Sequence, residues 1–323
     1  MRRDAESPPY SGYQTQTGVQ HLYGTGSVPP APPSAVRSVR SVFHAPPANR
    51  LINWGLSHAI LKRPRVSAVS YLNTSPLVWG MLHGPGRGRF DLEFRLPADC
   101  ADHLASGAAD IGIVPSFELT RQDLEIIPGA GIACHGAVRS ILLISSRPAA
   151  QIRTLALDSS SRTSVELVRV ILQRRYGVAP RSFSHSPDLD AMMRIADAAL
   201  IIGDPALRID PASLPWHVYD LGAEWVAMTG MPMVFAVWAG RKGTVTPELA
   251  AAFQDSCRYG LAHLEEIVAA ESAARGFAPD IVREYLTRRI VHELGPRDYQ
   301  GMELFLEYAS PGAVAAMKFV TPV

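Results

Sequence analysis

The stretch VSYLNTSPLVWG, Val69–Gly80, decides how this chain folds. Apolar residues alternate through Val66 and Ala68 to Tyr71 and Leu72, halt at Asn73-Thr74-Ser75-Pro76, and resume as Leu77, Val78 and Trp79. A run of period two that yields to a polar cluster with proline, and then to a second apolar run, predicts a strand, a turn and a helix start. Ser75 before Pro76 has the chemistry of an N-cap with proline at the first helical position. Asn73 is then free to face whatever lies beyond the strand end, with an amide that donates and accepts at once.

The arrangement recurs three times downstream. GIVPSFE closes on Pro115 and Ser116, LALDSSSRTSVE on Ser159–Ser164, and LIIGDPAL on Gly203 and Asp204 before Pro205. In open α/β sheets, ligands gather outside the carboxyl ends of strands, where helix N-termini point free N–H groups outward. Each stretch also has a purely structural reading. Ser75-Pro76 and Asp204-Pro205 are ordinary helix starts, and Thr163 with Glu166 spells a capping box. A cap needs one or two acceptors, however, whereas DSSSRTS supplies five hydroxyls and an arginine. A guanidinium beside a helix N-terminus suits a carboxylate or a phosphate, so an anion is expected at Ser159, Ser160, Arg162, Thr163 and Ser164. Arg139 in GAVRSILL is a second candidate cation, or else an edge-strand arginine in a salt bridge. His135 and His185 stand alone, as histidines with purely structural roles commonly do.

From Arg65 onward, short apolar runs alternate with segments of helical period, the pattern of an α/β protein. RVSAVSYL, FDLEFRL, DIGIVP, EIIPGAGIA, AVRSILLISS, TLALD, RSFSH, AALIIGD, HVYDLG and MVFAVWAG read as strands. TSVELVRVILQRRYG sets Val165, Val168, Ile171, Leu172 and Tyr176 on one stripe and stops at Gly177. Residues 246–276 read as one long helix, with Thr246 as cap, Pro247 at its first position and Gly276 at its end. The remainder is a helical tail. Two α/β lobes around a ligand cleft follow: residues 64–150 with 240–323 as one lobe, and 151–239 as the other. The chain is expected to cross near SRPAAQIR and return near WAGRKG.

Composition removes several classes of function. The 323 residues are 47% hydrophobic, enough for one large core or two smaller ones, and the net charge of +1 gives no footprint for nucleic acid. Cys100, Cys134 and Cys257 lie far apart without a CxxC pair, which argues against disulfides and zinc and for a reducing cytoplasm. No apolar run approaches the ~20 residues of a membrane span. Neither GxGxxG nor GxxxxGK[ST] follows a strand, and GxSxG and HExxH are absent, so no nucleotide, cofactor or metal is expected. Residues 1–63 differ from the rest: eight prolines, and seven cations against Asp4 and Glu6. They read as a disordered extension or an over-long gene start, with an organellar transit peptide as the alternative.

Taken together, VSYLNTSPL, LASGAADIGIVPS, VRSILLIS, DSSSRTSVELVRVIL, ALIIGDPAL and DLGAEWVAMTGMPMVFAVWAGR resemble the chorismate dehydratases of the futalosine route to menaquinone. The resemblance is strong over residues 65–243 and looser in the tail, and Met233 stands where the family pattern suggests phenylalanine. It implies a type II periplasmic-binding-protein-like fold used as a cofactor-independent enzyme, monomeric or homodimeric. The implied reaction removes water from chorismate, a dicarboxylate, to give 3-[(1-carboxyvinyl)oxy]benzoate. In that setting Asn73 would orient the substrate, and Ser116, Gly203 and Asp204 would line the wall facing the serine-rich turn. The base is either the enolpyruvyl carboxylate of the substrate or Asp204. The dihydroxynaphthoate-forming enzyme of the same route, a small-carboxylate binding protein and a chorismate sensor are the competing readings.

Overall fold

A computed structural model describes residues 63–312 and 317–320. The expectations for residues 1–62 lie outside the described residues. In chain order the elements are β1 (Arg65–Val69), α1 (Ser75–Leu82), β2 (Asp91–Arg95), α2 (Pro97–Ala105), β3 (Ile111–Pro115), β4 (Leu124–Cys134), β5 (Ile141–Ser145), β6 (Thr154–Asp158) and α3 (Arg162–Tyr176). They continue with β7 (Arg181–His185), α4 (Leu189–Ile195), β8 (Ala198–Ile202), α5 (Asp204–Leu207), β9 (His217–Asp220), α6 (Leu221–Thr229) and β10 (Met233–Arg241). The tail holds α7 (Pro247–Ala262), α8 (Leu264–Arg275), α9 (Pro279–Glu284) and α10 (Pro296–Ala309). All ten stretches read as strands are strands.

They form two five-stranded sheets of matching design, β2-β1-β3-β10-β4 and β7-β6-β8-β5-β9. In each, three parallel strands lead to one antiparallel strand, β10 in the first sheet and β5 in the second. The inner strands β3, β5 and β8 are buried along their whole length, as strands covered on both faces must be. The outer strands β2, β7 and β9 are partly exposed and carry the charged and polar residues of FDLEFRL, RSFSH and HVYD.

This pairing corrects the lobe boundaries. The chain crosses between Cys134 and Ile141 and returns between Asp220 and Met233. β5 thus belongs to the second sheet and β10 to the first, so the boundaries at 150/151 and 239/240 misplace one strand each. The first crossing is six residues, HGAVRS, no different in composition from a turn within a lobe. It is fixed by Asp220, whose Oδ1 and Oδ2 accept from the Val138 and Arg139 amides at 2.9 and 2.6 Å. Arg139 takes the left-handed conformation there, φ 69°.

The long helix expected over 246–276 is two helices, broken at His263. The Tyr259 carbonyl accepts from both the His263 amide, at 3.1 Å, and its ring Nδ1, at 2.8 Å. The imidazole stacks on the Tyr259 ring, and the His263 amide also donates to the Gly260 carbonyl at 3.1 Å, closing the last turn of α7 before α8 begins. α1 and α7 meet almost backbone to backbone, at Gly80 against Ser256 and at Gly260 against Pro76. Small residues are required at both positions.

Candidate functional site

The carboxyl ends of β1, β3, β6 and β8 converge between the two sheets on a pocket enclosing about 480 Å³ of atom-free space, part of it open to solvent. Its apolar wall comes from both lobes, with Ile113, Ile132 and Phe235 on one side and Ile141 and Ile202 on the other. Its polar groups are Tyr71, Asn73, Thr74, Ser140, Ser161 and Ser164. None of the described lining residues carries a carboxylate, imidazole, ammonium or guanidinium group.

Asn73 sits in the 3₁₀ turn Leu72–Thr74, where β1 ends. Its backbone carbonyl accepts from His292 Nε2 at 2.9 Å, and its amide Nδ2 donates to Tyr285 Oη at 3.3 Å. Tyr285 in turn donates to Ser140 Oγ at 2.7 Å, so the Asn73 amide and a pocket-lining hydroxyl share one buried phenol. Burial pushes that phenol's pKa up, although the bond to Ser140 opposes it, and Tyr285 stays a neutral donor. Burial also lowers His292 to about 4, which keeps the imidazole neutral at physiological pH. Tyr285 and His292 were not singled out by sequence because they lie in the tail, more than 200 positions from Asn73.

Ser75 is not the cap of α1. Thr74 occupies the N-cap, and Ser75 Oγ donates to Glu271 at 2.9 Å. The cap of α3 is Ser161 rather than Thr163, its Oγ accepting from the Ser164 amide at 3.4 Å and from Ser164 Oγ at 3.2 Å. Both serines line the pocket, so the start of a 15-residue helix faces it with its first-turn dipole. Thr163 is fully buried behind that start, its Oγ1 accepting from the Phe117 amide at 3.1 Å and lying 3.3 Å from Ser116 Oγ. Ser116 also donates to the Val234 carbonyl at 2.8 Å. Ser116 and Thr163 therefore join the two lobes just behind the pocket.

The two candidate cations lie elsewhere. Arg162 Nη2 holds both oxygens of Asp102, at 2.7 and 2.9 Å, and Nη1 holds Glu118 Oε1 at 3.0 Å. Burial works against this guanidinium, but the two carboxylates outweigh it and its pKa is raised. Arg139 donates to the Ala206 and Ile209 carbonyls at 3.4 and 2.5 Å, and burial lowers its pKa. Neither lines the pocket. An edge-strand salt bridge does not describe Arg139 either, since its side chain donates to a carbonyl within α5 and to one just after it.

Around the serine-rich turn, Ser159 is exposed, while Ser160 lies 3.0 Å from the Tyr71 hydroxyl across the cleft. Asp158 is 2% exposed, and its Oδ1 accepts from the Ser160 amide at 3.0 Å. Its Oδ2 has no hydrogen-bond partner among the described residues, and burial raises its pKa. Gly203 lines the pocket at φ 69°, with the Tyr71 ring 2.6 Å from where a Cβ would sit, so only glycine fits. Asp204 lies behind it, accepting from the Leu72 amide at 3.0 Å and from Arg275 at 2.5 Å. Of the residues expected at the site, Asn73, Ser164 and Gly203 line the pocket. Ser116, Ser160, Thr163 and Asp204 hold its walls together, and Ser159, Arg139 and Arg162 face away.

Two matched sheets with a pocket between them, entered by strand ends and a helix N-terminus, define a two-lobed periplasmic-binding-protein-like fold. Solved structures share it: a protein of Archaeoglobus fulgidus superposes with a TM-score of 0.60 at 14% identity, covering 76% of this chain and 96% of that one. The periplasmic aliphatic sulphonate binding protein of Escherichia coli gives 0.52 at 16% identity, covering 78% and 94%. Residues 64–311 match the family described as menaquinone biosynthesis, and the chain belongs to that family. The chorismate dehydratase of Thermus thermophilus is 31% identical to it, over 66% of this chain and 84% of that protein. No described helix is long and apolar enough to cross a membrane.

Proposed function

We propose that this protein is a cytoplasmic, cofactor-independent carbon–oxygen lyase that dehydrates chorismate to 3-[(1-carboxyvinyl)oxy]benzoate in the futalosine route to menaquinone. One observation carries the reading beyond family membership. Asn73, its side-chain amide held by Tyr285 and its backbone carbonyl by His292, stands at a pocket whose described lining holds hydroxyls and a helix start but no carboxylate or imidazole.

That chemistry suits this substrate. Removing the C3 proton of chorismate gives a carbanion that delocalises through the diene toward the ring carboxylate. Expulsion of the C4 hydroxyl then completes an aromatic ring, and the proton and hydroxide leave as water. Aromatisation supplies the driving force, so the protein's task is to fix one conformer and exclude water. With no carboxylate or imidazole on the described lining, the enolpyruvyl carboxylate of the substrate takes the C3 proton. Ser161, Ser164 and the free N–H groups at the start of α3 bind a carboxylate of the substrate, replacing an arginine with a helix dipole and hydroxyls. Asn73 orients the enolpyruvyl group or donates to the departing hydroxyl.

The test is Asn73→Ala in the full-length protein, with turnover followed by chromatography. Loss of one preorganised donor costs about 10²–10³ in kcat. A folded Asn73→Ala protein that retains a third or more of the wild-type rate removes Asn73 from the mechanism.

A further inference from the structure

Behind the pocket, the tail places a buried arginine between the lobes. Arg275, the last residue of α8, is enclosed with two carboxylates: its side chain, that of Asp204 and that of Glu271 are exposed by 11%, 11% and 9%. Its Nη1 donates to Asp204 in the second lobe at 2.5 Å and to the Ser70 carbonyl in the first at 2.9 Å, and its Nε donates to Glu271 at 2.6 Å. Glu271 accepts in turn from Ser75 Oγ. Asp204 reaches back across the cleft to the Leu72 amide. The chain on both sides of Asn73 is therefore held by one arginine: directly at the Ser70 carbonyl, through Asp204 at the Leu72 amide, and through Glu271 at the Ser75 side chain.

Two of these links, Arg275 to Asp204 and Asp204 to Leu72, exist only when the lobes are together. A further contact closes the same seam, with Arg208 of the second lobe donating to the Arg275 carbonyl at 2.8 Å and lying over the Phe277 ring. We propose that Arg275 is a positioning residue that clasps the second lobe and sets the Asn73 turn only in the closed protein. Turnover thereby becomes contingent on closure. The effect on catalysis rests on the dehydratase reading, whereas the clasp itself does not.

The experiment uses full-length protein labelled at Ile195→Cys in the second lobe and Lys242→Cys in the first, both exposed positions. The native thiols are buried and do not compete. Arg275→Gln, Arg275→Lys and the parent are compared by inter-label distance, by amide exchange at Leu72 and by chorismate turnover. Arg275→Gln is expected to lengthen or broaden the distance, to speed exchange at Leu72 at least tenfold and to lower kcat at least tenfold. Arg275→Lys, which keeps a charge for Asp204, should restore a large part of all three. An unchanged distance or unchanged Leu72 exchange in folded Arg275→Gln overturns the proposal, even if kcat falls. Both physical changes with full turnover overturn the link to Asn73. If Arg275→Gln shows both physical changes but the parent never dehydrates chorismate, the dehydratase reading fails and the clasp stands.

Discussion

Gly260→Ala tests whether the α1–α7 contact sets the turn that carries Asn73. A Cβ at position 260 would lie 2.0 Å from the Pro76 carbonyl oxygen and 2.8 Å from its carbonyl carbon. Close carbon–oxygen contacts settle near ~3.3 Å, so the helices must part by more than about 1 Å. The obstacle is backbone and cannot rotate away. Overpacking of this kind costs about 1–3 kcal/mol, and the upper end applies here. Replacing glycine with alanine within a helix returns about 1 kcal/mol, leaving a net loss of about 2 kcal/mol. At roughly 2–4 °C per kcal/mol for a chain of this size, the melting temperature should fall by about 4–8 °C. Pro76 lies three residues beyond Asn73, so a displacement of about 1 Å there should also cost about 10²-fold in kcat. Gly136→Ala is the control, since nothing lies within 4 Å of its added Cβ. Calorimetry and turnover of the two variants decide the matter. A Gly260→Ala protein that melts with the wild type and keeps its rate would refute the packing argument.

Other outcomes follow from the same geometry. Ser161→Ala removes the cap of α3 and a pocket hydroxyl together, so denaturant unfolding should show a loss of about 1 kcal/mol and the KM should rise; an unchanged KM would place the carboxylate elsewhere. His292 is held down at about 4 against an ordinary 6.5, so its neutral form stabilises the fold above the ordinary value and that stability drains away as the pH falls toward 4. With each pH unit between the two values worth roughly 1.4 kcal/mol, the drain is about 3 kcal/mol, and His292→Gln should flatten the stability profile between pH 6.5 and 4. An equal slope in the variant would contradict this. Burial pushes the Cys100, Cys134 and Cys257 thiols up to about 12, so the native protein should resist alkylation and the denatured chain should take up three labels by mass. Rapid labelling of the native protein would show that these sites open.

The strands were legible because each carries its own signal, either an unbroken apolar run, as in DIGIVP and AALIIG, or an edge pattern, as in FDLEFRL. Sheet membership was not, because the six-residue crossing before β5 looks like an ordinary loop, and α6 before β10 looks like a helix joining two strands of one sheet. The placement of Asn73 at the turn after β1, and a helix start after β6, could be read locally. The identity of the cap could not, since Ser161 and Thr163 are both suitable and the choice is made by the Phe117 amide 46 residues away. Arg162 looked available because Asp102 and Glu118 are distant in sequence, 60 and 44 positions off. The anchors Tyr285, His292 and Arg275 carry no motif at all. They are defined by where the tail folds back.

The central claim is tested most directly by incubating the purified protein with chorismate and following the products by chromatography and mass. The account predicts a product lighter by one water with an aromatic absorbance, formed without added metal or cofactor. Chorismate recovered unchanged from folded protein would contradict it.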